Sequence, residues 1–195
     1  MPSIDYVRTD TAEDAVSSLE LAADFLQRAA GDDRYWKWFV VALHAGAQSM
    51  FALTLEAGNG FLVQKPGVMR AMLAAHESSI DAQHPHPHMD NFWNLYKQVQ
   101  RAENLRSPDC LPLESSPGRD HAHKSLDYLR NNFLHFNTKS WSIERECILE
   151  SARGCTEVTE FILSRSGAIF WHEDSHQQRA VIALQHLHAL LHKKI

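Results

Sequence analysis

The chain has 195 residues at 22.2 kDa, with Lys+Arg 19 against Asp+Glu 24, a formal charge of −5 and 13 histidines. That length suits a single domain, and 44% hydrophobic with 22% charged residues excludes bulk disorder. The acidic balance excludes a strongly basic nucleic-acid coat protein but leaves room for a local basic patch.

In chain order, Thr11 followed by Asp14 reads as a helix start. Apolar residues then recur at Val16, Leu19, Ala23, Leu26 and Ala30 until Gly31 stops them. A second helix runs from about Tyr35 to Ala57, apolar nearly all round and therefore central, and Gly58-Asn59-Gly60 ends it. Its densest stretch, Trp38 to Met50, is broken by His44 and Gln48 and reads as too polar to span a membrane. A shorter helix from Val68 to about Ser79 precedes His84-Pro85-His86-Pro87-His88, a mobile polar loop by its alternating prolines. Met89 to Glu103 reads as a helix, and Ser107 to Ser116 as a connection. Ser116-Pro117 is an N-cap and N1 pair for a helix reaching about Phe136. Ser142 caps the next, with Ile148, Ala152, Cys155 and Ile162 inward and Gly167 at its end. Ser175 starts the last, through Val181, Leu184, Leu187 and Leu191. The expected fold is all-α, a helical bundle with an up-and-down core of four helices plus additional helices, in one domain over 1–195.

Cys110, Cys147 and Cys155 form no C-x-x-C pair, which argues against a disulfide framework or a thiolate zinc site and for a reducing cytoplasm. Met1–Asp5 has neither the basic nor the apolar region of a secretory signal.

His172-Glu173-Asp174-Ser175-His176 spells H-E-x-x-H, which in zinc proteases sets two imidazoles one helical turn apart with a glutamate to activate water. Here Ser175 and Gln178 form a capping box that starts the helix between the two histidines. Arg179 and Ile182 stand where an extended zinc motif has Gly and His. Zinc hydrolysis is the minor alternative. His84, His86 and His88 do not project together from a polyproline-like run, and His188 and His192 read as a surface pair near a helix end.

On the helix from Pro117, Leu126, Leu129, Phe133 and Phe136 define the buried stripe, and Lys124, Tyr128, Asn131 and His135 fall opposite. Asn131 and His135 are i, i+4 neighbours, placing the amide to orient the imidazole. Arg130 lies on the flank, roughly 140° from His135 on an ideal helix.

Arg130-Asn131-Asn132-Phe133-Leu134-His135 resembles the R-polar-x3-H motif of the higher eukaryotes and prokaryotes nucleotide-binding (HEPN) superfamily. Arg70…His76, Arg165…His172 and Arg179…His186 share the loose spacing, but only Arg130 is followed by Asn and closes a long amphipathic helix. The resemblance covers most of the chain in outline and six residues by motif.

Divided into 1–66, 67–116, 117–145 and 146–195, the chain is net positive only in 117–145, with five basic and three acidic residues, where phosphate would settle. The resemblance implies a metal-independent endoribonuclease with no cofactor. In it His135 serves as general base or acid, Arg130 neutralises the scissile phosphate, and Asn131 positions the imidazole or a phosphate oxygen. Lys124, Tyr128 and Lys139 are the expected substrate-binding residues. Also implied are a homodimer, RNA as substrate, a possible antitoxin or nucleotidyltransferase-type partner, and no membrane. The competing reading is a non-catalytic module of the same fold.

Overall fold

Each long helix follows from an apolar stripe at 3–4 spacing with a local start and stop. The computed structural model describes residues 6–56, 59–78, 85–135 and 140–193. Those residues form seven α-helices and no strand: α1 Thr11–Ala29, α2 Tyr35–Leu55, α3 Pro66–Ser78, α4 Phe92–Gln98, α5 Pro117–Leu134, α6 Arg145–Phe161 and α7 Asp174–Leu191. Asp10, one residue earlier than expected, caps α1 by accepting from the Glu13 N–H at 2.8 Å. Val16, Leu19, Ala23 and Leu26 face inward as their spacing predicts.

α2 is the centre of the bundle and touches α1, α4, α5 and α6. With mean hydropathy 1.4 over its best window, it is long and apolar enough to cross a membrane by length and composition, which corrects the expectation drawn from His44 and Gln48. Packing accounts for that character: 72% of the window is buried inside the bundle. At Gly46 a Cβ would meet the Leu19 side chain at 3.0 Å, so the missing methyl lets α1 lie close along α2.

α1, α2, α5 and α6 make the core, α7 closes it against α1 and α6, and α3 and α4 are additions. Phe39, Leu43, Met50, Phe51, Leu126 and Ile148 are almost fully enclosed; removing each such side chain from water stabilises the fold by about 1.5–3 kcal/mol. Cys110 and Cys155 are buried free thiols, Cys147 an exposed one.

Three helices depart most from expectation. α4 is half the length read from Met89 to Glu103, because Asn91 caps it by accepting from the Asn94 N–H, and the carbonyl of Val99 is taken by the Leu113 N–H. α6 begins at Arg145 rather than after Ser142, because Trp141 and Ile143 pack on the core and draw the approach away from a helix. A π-turn over Ile162–Ser166 extends α6 to Gly167, whose φ of 68° lies in the left-handed region. α7 begins after Glu173, so Ser175 is not its cap, and Val181 faces outward at 36% exposure while Ala180 and Ala183 point in.

Candidate functional site

The candidate motif closes α5, and that helix is fixed at both ends. The Ser116 hydroxyl accepts from the Arg119 N–H at 3.2 Å and Pro117 sets the first turn. Asp120 then accepts from the Tyr96 hydroxyl at 2.9 Å and from the Lys97 ammonium at 3.1 Å. Burial pushes the Asp120 carboxyl up, but the bonds from Tyr96 and Lys97 outweigh it and leave it below its ordinary range. In mid-helix Ala122, Leu126 and Leu129 are buried, and Ala122 faces Gly154 of α6 so closely that a Cβ there would stand 2.5 Å from the alanine methyl. Near the C-terminus Phe133 meets Trp141 edge-to-face at 4.8 Å.

Within the motif, the Arg130 guanidinium donates from Nη1 to Asn131 Oδ1 at 2.8 Å. His135 caps α5 with its backbone N–H on the Asn131 carbonyl at 2.9 Å, and its side chain is exposed. The expected link from the Asn131 amide to the imidazole is absent among the described residues: Asn131 Oδ1 is committed to Arg130, and only main chain joins Asn131 to His135. The structure therefore brings Arg130 and Asn131 into contact and leaves His135 facing solvent one turn further on.

Of the expected substrate-binding residues, Tyr128 is 60% exposed on the outer face. Lys124 lies with its ammonium 4.6 Å from the centre of the Trp93 ring, which Lys97 also approaches at 5.2 Å. Lys139 lies outside the described residues, as do Phe136 and His84.

Behind the motif is a buried cluster that sequence reasoning missed. His44 of α2 is 3% exposed, stacks on Phe92 at 4.1 Å, and donates from Nε2 to Asp127 Oδ1 at 3.0 Å. Burial lowers its pKa, Asp127 opposes the fall and the Arg130 charge adds to it, which puts Arg130 within electrostatic reach of this pair. His123 is fully buried, stacked on Tyr96 at 4.0 Å, with Nδ1 2.7 Å from the Arg119 carbonyl. Because a carbonyl only accepts, Nδ1 carries the proton, and Nε2 is left buried without a partner. Burial accordingly pushes His123 down to about 4. The available signal was a histidine interrupting an apolar run; the partners were too distant in sequence to be paired with it.

His176, which the sequence places just inside a helix start, is 3.1 Å from Glu13, which also accepts from Arg179 at 2.7 Å. His172 precedes α7 and Glu173 is its N-cap, so the two histidines of H-E-x-x-H do not share a helical face. His188 lies 2.9 Å from Glu160 and stacks on His192. In the His-Pro segment, the His88 N–H donates to Gln64 Oε1 at 2.7 Å and its carbonyl accepts from Lys65, so that end is anchored rather than loose. Among the described residues no three His, Cys, Asp or Glu side chains converge as a metal-ligand set.

The chain matches no protein-family model, no curated protein and no solved structure. Fold and site together define an all-α bundle that presents a hydrogen-bonded Arg–Asn pair and a solvent-facing histidine at the end of one long helix.

Proposed function

We propose that this chain is a metal-independent endoribonuclease of HEPN type. The observation that carries the reading is the contact of Arg130 with Asn131 one turn before an exposed His135, at the end of α5 and within the net-positive residues 117–145. His135 withdraws the proton from a ribose 2′-OH, whose oxygen attacks phosphorus as the bond to the 5′-oxygen breaks. The His135 imidazolium returns its proton to the departing 5′-oxygen, giving a 2′,3′-cyclic phosphate and a 5′-hydroxyl end. Arg130 offers its guanidinium to the phosphate oxygens, and Asn131 holds Arg130 in place through the 2.8 Å bond. A second copy across a twofold axis covers the exposed Leu134 and doubles the site.

The test is incubation of the purified chain with single-stranded RNA in EDTA, with product ends read by mass spectrometry and assembly by sedimentation. Cyclic phosphate ends from a dimer support the reading; intact RNA at high protein concentration overturns it. A second reading, a non-catalytic module of the same fold, draws on the half-burial of Arg130 and its engagement within the helix.

A further inference from the structure

A groove of about 350 Å³ runs between α5 and the start of α6, beside the motif but lined by other residues. Its floor is apolar, built from buried Ala122 and Leu129 with half-buried Ile143. The Tyr128 ring stands at the rim, 60% exposed, and the Ser125 hydroxyl and Glu150 carboxylate supply polar edges. Glu150 makes no hydrogen bond or ion pair to any described residue, so its exposed carboxylate is open to a ligand at the groove edge. The volume is at the small end of the ~300–1,000 Å³ span of small-molecule sites.

An apolar floor, an aromatic rim and one unpaired carboxylate suit a flat ring with two adjacent N–H donors on one edge. Among the RNA bases only guanine has that edge, through N1–H and the 2-amino group. Adenine and cytosine set an acceptor nitrogen beside their amine and would turn it against the second carboxylate oxygen; uracil flanks its single N–H with carbonyls. We propose that this groove is a guanine-binding subsite in which Tyr128 stacks on the base and Glu150 accepts from its N1–H and 2-amino groups. The base enters from single-stranded RNA, as the ribonuclease reading requires, or from a free guanine nucleotide; the recognition chemistry is the same.

The experiment is calorimetric titration of the full chain with GMP and AMP, and with the tetranucleotides UGUU and UAUU. GMP binds about tenfold or more tightly than AMP, Glu150→Gln removes that preference, and Tyr128→Ala weakens both ligands. Both substitutions are on the surface, and thermal melts of the variants check that the fold is kept. A matching preference for UGUU over UAUU assigns the groove to RNA, and a preference confined to GMP assigns it to the free nucleotide. Equal binding of GMP and AMP, no binding of either, or a GMP preference that survives Glu150→Gln overturns the proposal. Titration with GMP and AMP, which hold no phosphodiester to cleave, reads binding alone: GMP selectivity without RNA cleavage defeats the ribonuclease reading and leaves the subsite, and cleavage without GMP selectivity does the reverse.

Discussion

His123 makes the bundle sensitive to acid. Its Nδ1–H is spent on the Arg119 carbonyl and its Nε2 faces no acceptor, so a second proton would put an unpaired charge among Tyr96, Phe92 and Phe51. The folded value of about 4 stands below the ordinary 6.5. In the window between them the unfolded chain binds the proton that the folded chain refuses, so stability is full above pH 6.5 and falls as pH drops toward 4. The whole gap corresponds to about 3 kcal/mol, of which about 2 kcal/mol is lost between pH 7.5 and pH 5. His123→Phe keeps a ring in the stack and removes the proton site. Urea unfolding followed by circular dichroism at pH 7.5, 6.5, 5.5 and 5 should therefore show the wild type losing about 2 kcal/mol more than the variant. Parallel stability curves for the two proteins would refute the reasoning.

Three other perturbations probe the packing and the ion pairs. Gly154→Ala sets a methyl 2.5 Å from that of Ala122 and should cost about 1–3 kcal/mol by thermal melt; adding Ala122→Gly should recover part of the loss, and no recovery would show that the contact is not the cause. Arg179, which bridges Glu13 and Glu20 with 37% of its side chain exposed, should cost about 1 kcal/mol as Arg179→Ala after allowance for solvent screening. The deficit should shrink in 1 M NaCl, where the Debye length is about 3 Å, and a salt-independent deficit would argue for lost packing instead. Asp127→Ala strips the buried His44 of its acceptor and should cost about 1–3 kcal/mol in urea unfolding; an unchanged midpoint would mean that the pair contributes nothing.

The parts of this molecule legible in sequence are those that local chemistry decides. Ser116-Pro117 and the stripe through Leu126 and Leu129 place α5, and the all-round apolar run of Tyr35–Leu55 places α2 at the centre. Local signals fail where a tertiary contact competes. Ser142 is a good cap by composition, but Trp141 is held by Phe133, so the helix waits until Arg145. The site divides the same way. Arg130, Asn131 and His135 were visible as a motif, and their exposed face as a periodicity. That Arg130 would take Asn131 Oδ1 depends on side-chain rotamers that helical spacing does not set. No local signal pairs His44 with Asp127, 83 positions away, or His176 with Glu13, 163 away. His44 is a core residue and His176 an ion-pair residue, which sets His135, exposed at the end of α5, apart from them.

The most direct test of the central claim is the rate of RNA cleavage in EDTA by the wild type, Arg130→Ala and His135→Ala at equal concentration. The account predicts cleavage by the wild type and a fall of about 100-fold or more in each variant, with thermal melts close to the wild type. Cleavage at the wild-type rate by both variants would contradict it.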